Sequence, residues 1–277
     1  MKKIAVLLAT YNGSARIEYL LNSLVCQTYT SFNVYVHDDA STDNTLSIIE
    51  KYKNGQKGNL TISILNDICK RGAKGSFMWL LENVESDYYM FCDQDDFWLP
   101  FKIEQSVQLI ERLEKENFNK PICVHTDLAV ADTNYNIIAT SLWTQSRVIP
   151  KILEHKDFIQ VFNCVTGCSM IFNRLAKKCA LPMNPLAPMH DFWVAYQVLA
   201  NNGILTHLPS STILYCQHGN NVVGANKVGL QYVLNKFRLK KLFKKNVETY
   251  KLMHQLSNIS WLKYFGFKLY FEIRRFF

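Results

Sequence analysis

Ile4-Ala5-Val6-Leu7-Leu8-Ala9 is an apolar run that ends in the polar turn Thr10-Tyr11-Asn12-Gly13, and a helix-length amphipathic segment, 15–27, follows it. The same succession recurs twice: an apolar run at 32–37 precedes a helical pattern at 43–53, and a run at 60–65 precedes one at 75–84. Short apolar runs bounded by turn residues read as buried strands, and the segments between them carry the helical period. Strand and helix alternating in this way predict an α/β fold with a twisted, mostly parallel sheet flanked by helices. In such a sheet, ligands sit beyond the carboxyl ends of the strands. The second half is less regular, with strands expected over 122–126, 165–172 and 211–216 and helices over 101–115 and 190–201.

Two acidic turns fall at expected strand ends. Asp93-Gln94-Asp95-Asp96 follows the apolar run 88–92, and Asp38-Asp39-Ala40-Ser41-Thr42-Asp43 follows 32–36. Carboxylates as close as those of 93–96 repel one another, so an ion-free arrangement raises at least one pKa, whereas Mg2+ or Mn2+ accepts several oxygen ligands and removes the conflict. A metal at one turn and polar groups at the other can enclose a nucleotide diphosphate. Part of the 38–43 acidity also has a structural reading, because Thr42 or Asp43 can cap the helix that follows. Asp96 likewise reads as an acidic helix start before Pro100. Pro182, Pro185 and Pro188 crowd ahead of His190-Asp191, stiffening the approach to the next helix.

The chain has 277 residues, 48% hydrophobic and 19% charged, which is ordinary for a globular domain with a sizeable core. Met1-Lys2-Lys3 passes directly into the first apolar run, which argues against a secretory signal and for a cytoplasmic protein. The eight cysteines include no C-x-x-C pair and read as reduced core thiols, and Cys164-x-x-x-Cys168 lacks a second close pair to make a zinc site. Net charge is +8, yet residues 226–277 hold 12 Lys and Arg against 2 Glu, so the basic character belongs to the tail. Its lysines alternate with aromatics from Trp261 to Phe277, a pattern that favours an anionic membrane surface. Packing onto the rest of the chain is the alternative reading. No nucleic-acid motif is present, and charged residues interrupt the tail too often for it to span a bilayer.

Taken in order, Ala9-Thr10-Tyr11-Asn12-Gly13, Gln27-Thr28-Tyr29, Asp38-Asp39-x-Ser41-x-Asp43-x-Thr45, Asp93-x-Asp95, Thr166-Gly167, Met189-His190-Asp191-Phe192-Trp193 and Gln217-His218-Gly219-Asn220-Asn221 resemble the family 2 inverting glycosyltransferases of GT-A fold. The similarity is greatest to bacterial rhamnosyltransferase-like members that build surface polysaccharides. The resemblance implies a catalytic domain over 1–225 and a basic, amphipathic helical extension over 226–277. It implies a dTDP- or UDP-linked donor sugar, with a lean towards rhamnose, and a saccharide acceptor that is lipid-linked at the inner face of the bacterial membrane. Thr10 and Asp39 would then meet the pyrimidine, Tyr11 the base or ribose, and Asp93 the ribose or the metal's surroundings. Asp95 would ligate Mg2+ or Mn2+, and His218 would complete the metal shell or hold the diphosphate.

Asp191 matches the family's base, and Trp193 and His190 would form an acceptor platform unless they belong to the core. Cys216 stands where the subgroup carries a basic residue, so a charged diphosphate contact would have to come from Arg71, Lys74 or the tail. A nucleotidyltransferase is the competing enzyme class, but the chain has neither G-x-G-x-x-G nor a Walker-type loop. A non-catalytic relative would have lost Asp95 or Asp191, and both are present. The Gln-x-x-Arg-Trp motif of processive synthases is absent, so addition of a single sugar is expected.

Overall fold

A computed structural model describes residues 2–58, 60–65, 69–216 and 239–275. Its centre is the parallel set β3 (Ile62–Ile64), β2 (Phe32–Asp38), β1 (Ile4–Thr10) and β4 (Tyr88–Asp93), side by side in that order. β1 and β4 read as almost unbroken apolar runs because helices cover both faces of the sheet, and their interior residues are fully buried. Beyond β4 the sheet turns mixed. β8 (Ile171–Asn173) is antiparallel to β4 and to β6 (Ile122–Ala131), β6 runs parallel to β9 (Ile204–Cys216), and β5 (Phe97–Trp98) closes the edge against β9. The hairpin partner β7 (Ile137–Ala139) lies off this path on β6.

Register decides what meets at the mouth. Thr10 pairs with Asp38 across β1 and β2, and Ala9 pairs with Asp93 across β1 and β4. With parallel strands about 4.8 Å apart, both acidic turns therefore leave the sheet beside the loop that follows β1.

One layer of the core, under α1 (Ile17–Val25), α2 (Thr45–Lys53) and α4 (Lys102–Glu116), collects Val6, Leu8, Leu20, Leu24, Ile103 and Ile110. Ile103, Val107 and Ile110 recur at helical spacing on α4, and burying each contributes about 1.5–3 kcal/mol. The opposite layer holds α3 (Gly72–Asn83), the short helices α5 (Leu142–Ser146) and α6 (Pro150–Leu153), α7 (Arg174–Ala180) and α8 (His190–Ala200).

The tail helices α9 (Leu239–Ser257) and α10 (Trp261–Arg274) join this second layer. Met253, Ile259, Tyr264 and Phe271 are buried in the same core cluster as Phe91 and Trp193, and the Phe162 and Phe271 rings stand 5.2 Å apart. Over its described residues the extension is thus packed onto the catalytic fold on one side. None of the described helices is long and apolar enough to cross a membrane.

Two expectations change. The run 165–172 is not one strand: Gly167–Ser169 forms a 3-10 turn, and only Ile171–Asn173 pairs in the sheet. A β-carbon on Gly167 would lie 2.7 Å from Nε2 of His190, so the chain turns where a glycine admits that buried ring. The strand expected at 211–216 begins at Ile204, because Ile122 to Thr126 of β6 pair with Ile204 to Leu208.

Candidate active site

The turn after β2 is fastened to the loop after β1 by its own carboxylates. The Thr10 hydroxyl donates to Asp38 Oδ2 (2.7 Å), while Ser41 gives its backbone N–H to Oδ1 (2.7 Å) and its hydroxyl to Oδ2 (2.6 Å). Ser14 N–H donates to Asp43 Oδ2 (3.0 Å), and Thr45 gives both its N–H and its hydroxyl to Oδ1. Burial pushes the Asp43 carboxyl up, but these bonds outweigh it and hold the group well below the usual carboxylate range. Asp39 accepts from the N–H groups of Arg71 (2.6 Å) and Gly72 (3.0 Å), where free donors begin α3. Thr10 and Asp39 therefore stand together at the mouth, each already bonded to protein. Tyr11 is 49% exposed, and Nζ of Lys70 lies 5.3 Å from its ring centroid.

The turn after β4 has the opposite character. Burial, then the charges of Asp95 and Asp191, push the Asp93 carboxyl up to about 7. Asp96 is driven well above its ordinary value by burial and then by Asp93 and Asp95, and neither of its oxygens has an N–H or O–H partner. Asp93, Asp96 and Cys168 bring potential ligand atoms within 4.8 Å of one another. Burial and the neighbouring carboxylates keep the Cys168 thiol protonated, so a hard cation here would be held by carboxylate oxygen. The only charged basic group buried beside this turn among the described residues is Lys102, itself pushed down to about 8 by burial, and it lies 4.5 Å over the Trp98 ring. Buried, partnerless carboxylate oxygens packed against one another fit a divalent cation.

Asp191 opens α8 and faces the same space, since its charge acts on Asp93. Burial raises its carboxyl to about 6, against the lowering effect of N–H donors from Phe192, Gly167 and its own backbone. Lys74 steadies the approach by donating to the Ala187 carbonyl (3.0 Å) in the proline-rich loop.

Two expected acceptor contacts are corrected. His190 is buried between the rings of Phe77 (4.3 Å) and Phe91 (4.7 Å), and burial lowers it to about 3, so it is a neutral core residue. Trp193 is 6% exposed and donates its indole N–H to the Ala180 carbonyl (2.7 Å). α8 is wedged between the sheet and neighbouring helices, which leaves Asp191 the residue of its first turn that reaches the mouth. His218 and its Gly219-Asn220-Asn221 loop lie outside the described residues.

Gln94 and Arg16 complete the mouth. Gln94 accepts from Tyr11 N–H and donates to the Tyr11 carbonyl, both at 2.9 Å, locking the two loops together. A β-carbon on Gly13 would meet its Oε1 at 2.2 Å. The Arg16 guanidinium donates to Sγ of Cys216 (2.9 Å) and to the Thr133 carbonyl (3.3 Å), which puts a cation at the position where Cys216 lacks one. A glycine after an apolar strand was the available signal for the first contact. Nothing local signals the second, since 200 residues separate Arg16 from Cys216.

The glycosyl transferase family 2 model matches residues 5–179, and the chain belongs to that family; it is a glycosyltransferase. It is 29% identical over 232 residues to the dTDP-rhamnosyl transferase RfbG of Shigella flexneri, covering 79% of this chain and 74% of the relative. Over 111 residues it is 33% identical to the Escherichia coli UDP-Glc:alpha-D-GlcNAc-diphosphoundecaprenol beta-1,3-glucosyltransferase WfaP, a match covering 40% of this chain and 42% of the relative. The fold is similar to that of Staphylococcus aureus TarS 1-349 in complex with UDP-GlcNAc, with a TM-score of 0.65 at 18% identity over 99% of this chain and 72% of that one. It is also similar to a mannosyltransferase of Pyrobaculum calidifontis in complex with GDP-Man and Mn2+, with a TM-score of 0.61 at 16% identity over 79% of this chain and 58% of that one.

Proposed function

We propose that the chain moves one sugar from a dTDP- or UDP-linked donor to a lipid-linked saccharide acceptor with inversion at the anomeric carbon, in bacterial surface polysaccharide synthesis. The observation that carries this is the placing of Asp191 and Asp93 within electrostatic reach of one another at the carboxyl ends of the strands. Asp95 and Asp93, with Asp96 behind them, would hold Mg2+ or Mn2+. When bound, such an ion neutralises charge on the departing nucleoside diphosphate. Asp191 takes the acceptor hydroxyl's proton as that oxygen attacks opposite the leaving group, and a carboxyl at about 6 is mostly ionised at neutral pH yet basic enough to receive it. Thr10, Tyr11 and Asp39 form the nucleobase end, and Arg16 supplies the cation that the Cys216 position lacks.

The similarity to a dTDP-rhamnosyl transferase supports rhamnose as the sugar. On α10, Leu262, Leu269 and Ile273 line one helix face, with Leu262 77% and Leu269 62% exposed, and Lys263 and Arg274 flank them. An apolar stripe edged with cations supports peripheral attachment to the inner, anionic membrane face. Asp191→Asn tests the base: transfer is expected to drop about 10²–10⁴-fold with donor binding retained, and wild-type kcat/KM should fall below about pH 6 as Asp191 is protonated. Near-normal turnover by Asp191→Asn would remove the proposed base.

A further inference from the structure

A second cavity, of about 620 Å³, opens beside β6, lined by Asp127, Ser141, Trp143, Arg147, Arg274 and Arg275 among others. Three arginines against one carboxylate give this lining a net positive charge. Asp127 is itself occupied, since Ser141 donates its hydroxyl (2.5 Å) and Trp143 its N–H (3.2 Å). Arg275 is the unusual member. Its side chain is 3% exposed, one terminal nitrogen donates to the Ser146 carbonyl, another is 3.8 Å from Glu272, and Nε has no partner. A buried guanidinium with an unmet N–H and only a long ion pair is costly unless an anion completes it.

The sheet register locates the cavity. Tyr89, Phe172 and Cys123 stand in one row across β4, β8 and β6, so Asp127, four residues beyond Cys123, is level with Asp93 about 10 Å away at two strand spacings. Both strands run the same way, so Asp127 and Asp93 mark the same end of the sheet. On its other side the cavity meets the end of α10, whose apolar stripe finishes at Ile273, directly before Arg274 and Arg275.

We propose that this cavity binds the phosphate or diphosphate group of the acceptor, with Arg147, Arg274 and Arg275 as the cationic ligands, while the attached saccharide extends along the sheet mouth towards Asp191. The inference rests on the reading of the acceptor as lipid-linked. It also explains why an anion site and an exposed apolar helix face adjoin, since a lipid diphosphate presents both chemistries at once.

The test is calorimetric titration of the full chain in EDTA with two probes, inorganic diphosphate and decyl diphosphate. The main variant is Arg147→Asn with Arg274→Gln. Both side chains are exposed, and asparagine tolerates the left-handed backbone at Arg147 (φ 49°), so folding is preserved. Each charge-assisted bond contributes about 1.5–3 kcal/mol, so the double variant should bind both probes at least about tenfold more weakly. Its affinity for UDP with Mn2+ should stay within a factor of about two. Arg275→Lys, which keeps the charge but loses the fork, should show an intermediate loss.

Equal binding by wild type and the double variant, or no binding by wild type, overturns the proposal. A parallel loss of UDP affinity also overturns it, by assigning the arginines to the donor site. If the double variant loses co-sedimentation with phosphatidylglycerol vesicles but keeps diphosphate binding, the arginines serve lipid headgroups and the proposal fails. Because these titrations need no transfer, they read the cavity even if Asp191 proves not to be the base.

Discussion

The turns at 38–43 and 93–96 have almost the same composition and leave neighbouring strands at the same end of the sheet, yet their carboxylates are used in opposite ways. Asp38, Asp39 and Asp43 are each bonded to backbone N–H or hydroxyl groups and act as a clasp between loops and helix starts. Asp93 and Asp96 are buried against one another with few donors, and their protons are held more tightly than in water. A carboxylate that the protein satisfies is part of the structure, whereas one left to repel its neighbours is available to a ligand.

The strongest way to break this contrast is to neutralise one member of each turn. Asp93→Asn should lower transfer by about 10²-fold or more, because a group stabilising charge in the reaction is lost. In EDTA at pH 8 the same variant should melt a few degrees higher than wild type, because like-charge repulsion in a buried site is relieved. Steady-state kinetics and thermal melting read the two effects, and a variant that loses both activity and stability would place Asp93 in the clasp class.

The two turns should also respond to pH with opposite signs. Folded Asp93, up at about 7, binds more protons than the unfolded chain between the ordinary carboxylate value and 7, so its turn loses stability as pH rises through that window. Asp43 is depressed, so its contribution is complete above the ordinary carboxylate value and is lost as pH falls below it. Melting curves of metal-free protein from pH 5 to 8 should therefore slope downwards, and Asp93→Asn should flatten them. Asp43→Ala should leave that slope alone and cost about 1 kcal/mol at neutral pH, the usual loss for a helix-start carboxylate.

How much of this was legible in the chain follows from the range of each interaction. Strand–helix alternation from β1 to β4 is a local pattern, and the sheet has the parallel half it predicts. The extra length of β6 and β9 comes from their pairing with each other, which no periodicity encodes. His190 and Trp193 read as acceptor contacts because they flank Asp191, but α8 is buried on several faces and only tertiary packing decides which side chain points outwards. The tail's aromatics read as one amphipathic surface. The structure divides them, placing Tyr264 and Phe271 in the core and leaving Trp261, Leu262 and Leu269 outside. Both acidic turns could be located from sequence, but which was satisfied depended on donors at Ser14, Thr45 and Arg71 brought in by the fold.

The smallest expected effect concerns the link between the turns. Gln94 joins them through two neutral hydrogen bonds to Tyr11 at the protein surface, each contributing about 0.5–1.5 kcal/mol net. Gln94→Ala should therefore melt close to wild type while the loop carrying Tyr11 shifts against the acidic turn, raising the donor KM by about 3–10-fold with kcat nearly kept. Gln94→Glu sharpens the point. Its carboxylate can still accept from Tyr11 N–H, but it has no proton to give the Tyr11 carbonyl, and it adds a fourth negative charge to a turn already short of donors. If Gln94→Glu raises the donor KM more than Gln94→Ala does, charge at this turn governs the donor's fit. If the two are equal, the backbone link alone sets it.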